Sequence, residues 1–353
     1  MLQKVLTNRP LGYGLLFKRN VHFLRSSLLI PQQIKTKSDK EAINSKSISC
    51  QIMERNGFIS DTGTGFLTYL PLGKRVLNKV TNIVRDEMNK IQAQEIEMPA
   101  LCDLSLWSLT GRDELMGSEL FRLKDRHNRE LCLCPTHEEL VTSLVSKFSH
   151  ILPSECLSDK HALKLYQITR KYRDESRPKH ALLRAREFLM KDMYSFHLTP
   201  ECVDKTYDEV GKAYESFFSR LNLNFKKVTA DVGSMGGIRS HEYHVESSVG
   251  EDKVFSCSHC GDSISNDLVQ TGAEAKDKIK QEHLCLKNKS CSNKLDDKEL
   301  KKHVAHQKCI EIGHTFVLGD RYTKCFPINL KNMKENESVI MACYGIGRLK
   351  LNF

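Results

Sequence analysis

The stretch from Lys164 to His197 constrains the fold of this chain most, because its pattern predicts two strands joined by a charged turn. The chemically distinctive side chains of the stretch lie in and around that turn: Arg173, Asp174, Glu175, Arg177, Lys179, His180, Arg184, Arg186, Glu187 and Phe188. If the two strands pair in antiparallel fashion, they bring a guanidinium, a carboxylate and an aromatic ring to one place. These groups suit a nucleoside triphosphate attacked at its α-phosphate, since they offer a planar cation, an acceptor for the adenine amino group and a ring face. The alternative is a solvated charged hairpin.

The same segment resembles motif 2 of the class II aminoacyl-tRNA synthetases, and its amino-acid sequence is most similar to that of the prolyl-tRNA synthetases. The resemblance spans roughly residues 47 to 347. It implies that Arg173 contacts the α-phosphate and the amino-acid carboxylate, that Glu175 accepts from adenine and that Phe188 stacks on the base. It also implies that Arg184 lies near the phosphates or the substrate carboxylate. Arg173 and Arg184 are therefore the predicted catalytic residues.

The length of 353 residues allows two domains, or one large core with an insertion. Hydrophobic residues make up 40% of the chain, as in an ordinary soluble enzyme. No run of about 18 apolar residues predicts a membrane-spanning helix, so no membrane insertion is expected. The resemblance implies an α+β fold, in which an antiparallel sheet is flanked by helices.

Residues 1 to 38 hold seven basic residues and no acidic one, so they supply +7 of the net charge of +10. The remaining charge of about +3 is weak support for RNA binding. Hydroxylated and apolar residues lie between these charges, a composition typical of a mitochondrial transit peptide. The alternative is a disordered basic arm that binds RNA. The sequence thus predicts a transit peptide and linker at residues 1–45, and the mitochondrial matrix as the location.

A long helix is predicted from Leu72 to Ile91, because apolar residues recur there every three or four positions. A short strand from Gln94 to Met98 follows and is closed by Pro99. Helix, strand and proline together resemble motif 1 of the class II synthetases, in which this element builds the dimer interface. The resemblance therefore implies a homodimer formed through motif 1.

Thr136 and Glu138 lie in the segment Cys-Pro-Thr-His-Glu-Glu, which opens a predicted helix that ends near Phe148. The spacing of Thr136 and Glu139 has the form of a capping box, which leaves Glu138 unexplained. The segment also resembles the Thr-x-Glu loop that follows a Cys-Pro in prolyl-tRNA synthetases. This implies that Thr136 and Glu138 hold the imino group of proline, since a secondary ammonium needs acceptors. Capping and binding can coexist.

His241 is the remaining predicted pocket residue. It lies in a Ser-His-Glu segment at the start of a predicted strand, after a loop that contains Gly233, Gly236 and Gly237. The segment resembles one that lines the amino-acid pocket of this family, which implies that His241 binds proline together with Thr136, Glu138 and Arg173. A lone histidine near a strand start is more often structural, and that alternative stays open.

The composition changes between residues 251 and 308, where lysine and cysteine are dense and large apolar residues are few. An inserted subdomain is expected there, between a catalytic core at 46–250 and a return to that core at 309–353. Cys257 and Cys260 have the spacing of zinc ligands, whereas Cys285 and Cys291 are loosely spaced. A metal-free insertion is therefore the expectation, and a structural zinc is the alternative.

The residues from Cys343 to Gly347 resemble the opening of motif 3. In the family an arginine follows at the third position after this glycine and grips the γ-phosphate. Lys350 stands at that position here, and Arg348 comes too early. A lysine is a point charge and does not replace a bidentate guanidinium. The motif 3 helix and the anticodon-binding domain of the family are also absent from the sequence, which predicts a truncated isoform or an incomplete sequence.

The resemblance as a whole implies a proline–tRNA ligase. Proline would be activated with ATP to prolyl-adenylate, with Mg²⁺ bridging phosphate oxygens, and then transferred to tRNA(Pro) without a protein nucleophile. One alternative is a non-catalytic synthetase-like subunit, as in accessory factors of mitochondrial DNA polymerase, or an inactive truncated isoform. Another is threonyl or seryl specificity on the same scaffold.

Overall fold

The computed structural model describes residues 47–152, 156–158, 161–178, 183–258, 261–271, 304–330 and 338–347. The strands in this part of the chain are β1 (Ile59–Gly63), β2 (Phe66–Tyr69), β3 (Gln94–Glu95), β4 (Leu101–Asp103), β5 (Arg122–Lys124), β6 (Glu130–Leu133), β7 (Leu163–Tyr172), β8 (Glu187–His197), β9 (Phe225–Thr229), β10 (Arg239–Glu246), β11 (Asp252–Cys257), β12 (Ser263–Ser265), β13 (Val304–Gly319) and β14 (Ile340–Ile346). The helices are α1 (Ile48–Arg55), α2 (Pro71–Lys90), α3 (Leu104–Thr110), α4 (Arg112–Met116), α5 (Glu138–Phe148), α6 (Pro200–Arg220) and α7 (Asn266–Thr271).

Nine of these strands form one large sheet, in the order β10-β9-β12-β11-β13-β14-β8-β7-β3. The long strand β13 also pairs with β10. Every pairing in this sheet is antiparallel except those of β3 with β7 and β12 with β9. The small sheets β1-β2 and β4-β6-β5 are antiparallel as well. The predicted α+β fold, an antiparallel sheet with helices, is confirmed.

The large sheet has a hydrophobic cluster on each face. Met193 and Tyr344 belong to a cluster that includes the buried stripes of α2 and α6. Their neighbours Tyr194 and Cys343 belong to a second cluster, which includes buried residues of α5. Successive strand residues point to opposite faces, so helices cover the sheet on both sides. Burial of one large apolar side chain is worth about 1.5–3 kcal/mol, and the two clusters together fix the strands that carry the site.

The local patterns predicted the bounds of α2 and the end of α5 within one or two residues. The observed helix α2 matches the prediction and begins with Pro71, a residue suited to the first helical position. Thr199 caps α6 by accepting from the backbone N–H of Cys202. The strand predicted to reach Met98 is shorter, because the Met98 N–H donates to the Gln167 side chain at 3.0 Å rather than to a neighbouring strand.

The predicted subdomain at residues 251–308 is corrected at both ends. Strand β11 pairs with β13, and β12 pairs with β9 and β11, so residues 252–257 and 263–265 belong to the large sheet. Strand β13 begins at Val304, before the expected return to the core. Residues 272–303, and the transit peptide predicted at 1–45, lie outside the described residues. None of the described helices is long and apolar enough to cross a membrane.

Candidate active site

Two adjoining cavities lie beside β8, β13 and β14. The first has a volume of about 530 Å³, and the loop that precedes α5 forms part of its wall. The second has a volume of about 370 Å³ and is lined by residues that flank the turn between β7 and β8. Both volumes fall in the range of roughly 300–1,000 Å³ that is typical of ligand pockets. The cavities share these lining residues: Glu119, Arg173, Met190, Glu311 and Gly347.

Arg173 lies directly after β7 and lines both cavities. Its backbone N–H donates to the carbonyl of Arg186 at 2.9 Å, which continues the hairpin by one residue beyond the strand. Its guanidinium carbon lies 5.6 Å from the centroid of the Phe188 ring. The buried Nε has no hydrogen-bond partner among the described residues. Arg173 is therefore placed to offer a planar cation to a ligand that extends from one cavity into the other.

The second cavity contains the other residues predicted to bind the nucleotide. Glu175 is buried and accepts from Arg184 Nε at 2.7 Å, and Phe188 forms part of the wall. Arg184 also donates to Glu251 at 3.0 Å. The hydrogen bond to Glu175 raises the pKa of Arg184, so the guanidinium stays charged. The structure brings these predicted residues together, although Arg184 precedes β8 rather than lying within it.

Thr136 and Glu138 both line the first cavity, and both are buried. The predicted capping box is wrong, because His137 takes the N-cap position of α5 and no side chain caps the helix. Thr136 and Glu138 are instead bonded to the guanidinium of Arg112. Nη2 of Arg112 donates to Thr136 Oγ1 at 3.0 Å, and Nη1 donates to Glu138 Oε2 at 3.1 Å.

Sequence reasoning missed Arg112, which begins α4 and is 1% exposed. Its Nη1 also contacts both carboxylate oxygens of Glu139, at 3.1 and 3.0 Å. Its guanidinium carbon lies 4.6 Å from the centroid of the Trp107 ring. Burial raises the pKa of Glu139, as does Glu138, and Arg112 opposes them. A single arginine more than twenty residues before its partners gives no periodic or motif signal, so only the folded chain identifies it.

A second network of buried polar side chains supports the loop that precedes α5. Asp192 pairs with Lys171 at 2.8 Å and accepts from Gln167 at 2.9 Å and from Tyr194 at 2.7 Å. The Tyr194 hydroxyl in turn accepts from the backbone N–H of His137 at 2.8 Å. Burial lowers the pKa of His137 and so favours its neutral form. The network ties β7 and β8 to the loop that carries the predicted proline ligands, and its members gave no sequence signal.

His241 does not line either cavity. Its Nδ1 lies 2.8 Å from the hydroxyl of Tyr207 on α6, so its ring is packed between the sheet and that helix. This packing does not test whether His241 binds proline, and that role stays a prediction. Alternation along β10 instead turns Glu242 toward the first cavity. His314 lines the same cavity, with its ring stacked at 3.9 Å on that of Phe316.

The predicted metal and motif 3 positions are described only in part. Cys257 is buried at the end of β11, whereas Cys260, Cys285 and Cys291 lie outside the described residues. Where the structure describes the chain, no three His, Cys, Asp or Glu residues form a group that could hold a metal ion. Gly345 and Gly347 line the first cavity, and the residues from Arg348 onward, Lys350 included, also lie outside the described part.

Comparison with known proteins connects this geometry to one family. Residues 121–351 match the model of the class II tRNA synthetase core domain (G, H, P, S and T). A probable mitochondrial proline–tRNA ligase of Rattus norvegicus is 40% identical over 302 residues, which are 85% of this chain and 58% of the relative. A proline–tRNA ligase of Thermotoga maritima is 46% identical over 248 residues, 70% of this chain and 41% of the relative. The chain thus spans about half the length of these relatives.

Solved structures show the same fold. A prolyl-tRNA synthetase of Giardia lamblia in complex with prolyl-adenylate matches with a TM-score of 0.60 and 16% identity, covering 84% of this chain and 48% of that one. A prolyl-tRNA synthetase of Cryptosporidium parvum complexed with L-proline and AMP matches with a TM-score of 0.58 and 13% identity, covering 90% of this chain and 54% of that one.

Proposed function

The chain belongs to the class II tRNA synthetase core family (G, H, P, S and T), and on that premise we propose that it is a proline–tRNA ligase. The observation that carries the proposal is that Thr136, Glu138 and Arg173 line one cavity, which continues into a second cavity lined by Glu175 and Phe188. The first set suits an ammonium and a carboxylate, and the second suits an adenine nucleotide. The relatives named as proline–tRNA ligases support the choice of proline.

The proposed reaction begins with proline in the first cavity and ATP in the second. A carboxylate oxygen of proline bonds to the α-phosphorus, while the bond from that phosphorus to the β-phosphate breaks and pyrophosphate leaves. Arg173, at the junction, stabilises negative charge on the α-phosphate oxygens. A terminal ribose hydroxyl of tRNA(Pro) then attacks the prolyl carbonyl, and AMP leaves. No side chain has to become covalently attached, so the protein acts by positioning and charge.

Mg²⁺ belongs to this proposal as an ion carried by the ATP phosphates. Glu311 lines both cavities, and carboxylate oxygens are ligands that Mg²⁺ accepts alongside phosphate oxygens. The ion would neutralise charge on the phosphates.

Proline-dependent exchange of labelled pyrophosphate into ATP tests the proposal. It is to be measured on this chain and on a version extended by the C-terminal part of a relative. Arg173→Ala should reduce exchange at least about 100-fold, since one preorganised donor is worth on the order of 2.7–4 kcal/mol. Glu138→Gln should raise the KM for proline about 10-fold or more and leave the KM for ATP within about threefold. Equal exchange with threonine or serine would refute the assignment to proline.

A second candidate is a non-catalytic synthetase-like subunit. Lys350, at the position where the family pattern has arginine, favours it. This candidate predicts that proline and ATP raise the melting temperature of the protein, while exchange stays at background in both versions. Exchange by either version excludes it.

The proposal extends to location and assembly. The charge of residues 1–38 and the mitochondrial relatives support the mitochondrial matrix as the location. The helix α2 and strand β3, which correspond to the predicted motif 1, are the proposed interface of a homodimer. Sedimentation equilibrium of the purified chain tests the dimer, because a monomer at micromolar concentration would contradict it.

A further inference from the structure

The buried group formed by Arg112, Glu138 and Glu139 has a role beyond holding the fold. We propose that Arg112 is a positioning residue, which orients Thr136 and Glu138 for the charged amino group of the substrate. We also propose that this group has a net negative charge, because one guanidinium pairs with two carboxylates. The site therefore selects a substrate that carries a protonated amine. The inference rests on the proposed function, because it assigns a role within the amino-acid site.

The contacts of Arg112 join three parts of the chain at the first cavity. Nη2 donates to Thr136 Oγ1 at 3.0 Å and approaches Met235 Sδ at 3.2 Å. Nη1 bonds Glu138 and Glu139 within 3.0–3.1 Å. The guanidinium thus holds the loop before α5, the first turn of α5 and the glycine loop together. Only a planar cation with several donors in fixed directions can do this, and lysine cannot.

These contacts leave binding capacity at the cavity. A hydroxyl has two acceptor lone pairs and an ionised carboxylate about four. Arg112 uses one acceptor site on Thr136 and one on Glu138, so both side chains can still accept from a substrate ammonium. Arg112 also lines the first cavity, but it is 1% exposed and both of its terminal nitrogens are bonded to protein side chains, which indicates a supporting rather than a contacting role.

The net charge of the group formed by Arg112, Glu138 and Glu139 explains its selectivity for a protonated amine. One guanidinium faces two carboxylates, so the group carries a net charge of −1 when all three residues are ionised. Burial of an uncompensated charge is unfavourable. Burial accordingly raises the pKa of Glu139, and the charge of Glu138 adds to that effect against the opposing charge of Arg112. A bound ammonium supplies the missing positive charge, and we therefore expect the site to bind a protonated amine better than an uncharged ligand of similar shape.

The other titratable groups near this one do not supply that charge. Lys171 forms a separate ion pair with Asp192. Burial lowers the pKa of His137 and raises the pKa values of Tyr322 and Cys343, so each of these favours its neutral form. Burial also raises the pKa of Tyr194, and the hydrogen bond to Cys132 is the chief cause that raises the pKa of Cys102 to about 12. Arg173 lines the first cavity too, but it lies at the junction with the second cavity, where the proposed function assigns it to the α-phosphate.

The test compares Arg112→Lys and Glu139→Gln with the control Arg129→Gln, which removes a surface arginine paired with Asp125. In pyrophosphate exchange, each of the first two should raise the KM for proline about 10-fold or more and leave the KM for ATP within about threefold. Tetrahydrofuran-2-carboxylate, which has oxygen in place of the ammonium, should inhibit the unchanged protein poorly. It should compete better with proline in Glu139→Gln, where the group is neutral.

Competition by the uncharged analogue separates this role from a merely structural one. The ratio of the inhibition constant of tetrahydrofuran-2-carboxylate to the KM for proline should fall in Glu139→Gln and stay unchanged in Arg129→Gln. The inference is overturned if both variants keep the KM for proline within about twofold, or if that ratio is the same in Glu139→Gln and in the unchanged protein. Should Arg112→Lys fail to fold, Glu139→Gln decides alone. Absence of exchange in the unchanged protein would contradict the proposed function. The charge argument can then still be tested by the melting temperature of the protein, which proline should raise and tetrahydrofuran-2-carboxylate should not.

Discussion

Arg184 Nε donates to Glu175 Oε2 at 2.7 Å, so the carboxylate expected to receive the adenine amino group already has one partner. Arg184 reaches Glu251 with a second nitrogen at 3.0 Å. An ionised carboxylate has about four acceptor sites, so Glu175 can keep this bond and still accept from a base. The ion pair therefore orients Glu175 in the second cavity, in addition to any contact of Arg184 with phosphate.

Loss of this arginine should weaken ATP binding specifically. We predict that Arg184→Gln raises the KM for ATP about 10-fold in pyrophosphate exchange, because a charge-assisted hydrogen bond contributes about 1.5–3 kcal/mol. The KM for proline should stay within about twofold. The matched control is Arg170→Gln, which removes an exposed arginine paired with Glu187 on the same hairpin and should change neither constant. Equal effects of the two substitutions would contradict the role given to Arg184.

His241 and Glu242 offer a direct test of which residue of β10 belongs to the proline pocket. His241→Gln should lower the free energy of unfolding by about 1–3 kcal/mol, because it disturbs a buried hydrogen bond to Tyr207. It should leave the KM for proline unchanged. Glu242→Gln should have the opposite profile, since Glu242 lines the first cavity. Urea unfolding and exchange kinetics on both variants check this, and a large increase in the KM for proline in His241→Gln at unchanged stability would instead support the predicted role of His241 in the pocket.

The sequence predicted those elements of the fold that depend on the local pattern of residues. The apolar spacing of α2, the end of α5 near Phe148 and the two strands around the motif 2 turn depend on residues close in the chain, and all are present in the structure. The fold class followed from the resemblance that these elements carry. Residues on each side of one turn, such as Arg173 and Phe188, came together because a hairpin leaves them little alternative.

The rest depended on tertiary structure. Arg112 meets Glu139 only after the loop, α4 and α5 have packed, and no spacing rule connects them. His241 and Glu242 are neighbours on β10, and side chains alternate along a strand. A difference of one residue therefore separates a side chain at the first cavity from one that packs against α6. Thr136 and Glu139 have the spacing of a capping box, but both side chains bond to Arg112 and no capping hydrogen bond forms.

The basic N-terminal segment predicts a location that can be measured. Residues 1–38 fused to a fluorescent protein should direct it to mitochondria, because the segment combines seven basic residues with no acidic one. Replacement of four of these basic residues by glutamine should leave the fusion in the cytosol. Removal of residues 1–38 from the whole chain should have the same effect. Mitochondrial import of the shortened chain would contradict the assignment.

Lys191 predicts a distinctive dependence of stability on pH. It lies on β8 and is fully buried, where it donates to the hydroxyl of Tyr214 and to the carbonyl of Tyr344 at 3.0 Å. Burial lowers the pKa of Lys191 from 10.5 to about 7, against the opposing charge of Asp192. The unfolded chain therefore binds more protons between pH 7 and pH 10.5, and this lysine makes stability rise with pH across that window.

Replacement of this lysine by an apolar side chain should remove the pH dependence. We predict that the stability of Lys191→Met relative to the unchanged protein is higher at pH 7 than at pH 9.5, by on the order of 2 kcal/mol. The reason is that the cost of deprotonating Lys191 when the unchanged protein folds falls as pH rises. Urea unfolding at the two pH values measures the difference, and other titrating groups cancel in the comparison. Lys147→Met, which removes an exposed lysine on α5, is the control and should shift both curves equally. A relative stability of Lys191→Met that is the same at both pH values would show that Lys191 is charged in the folded protein throughout.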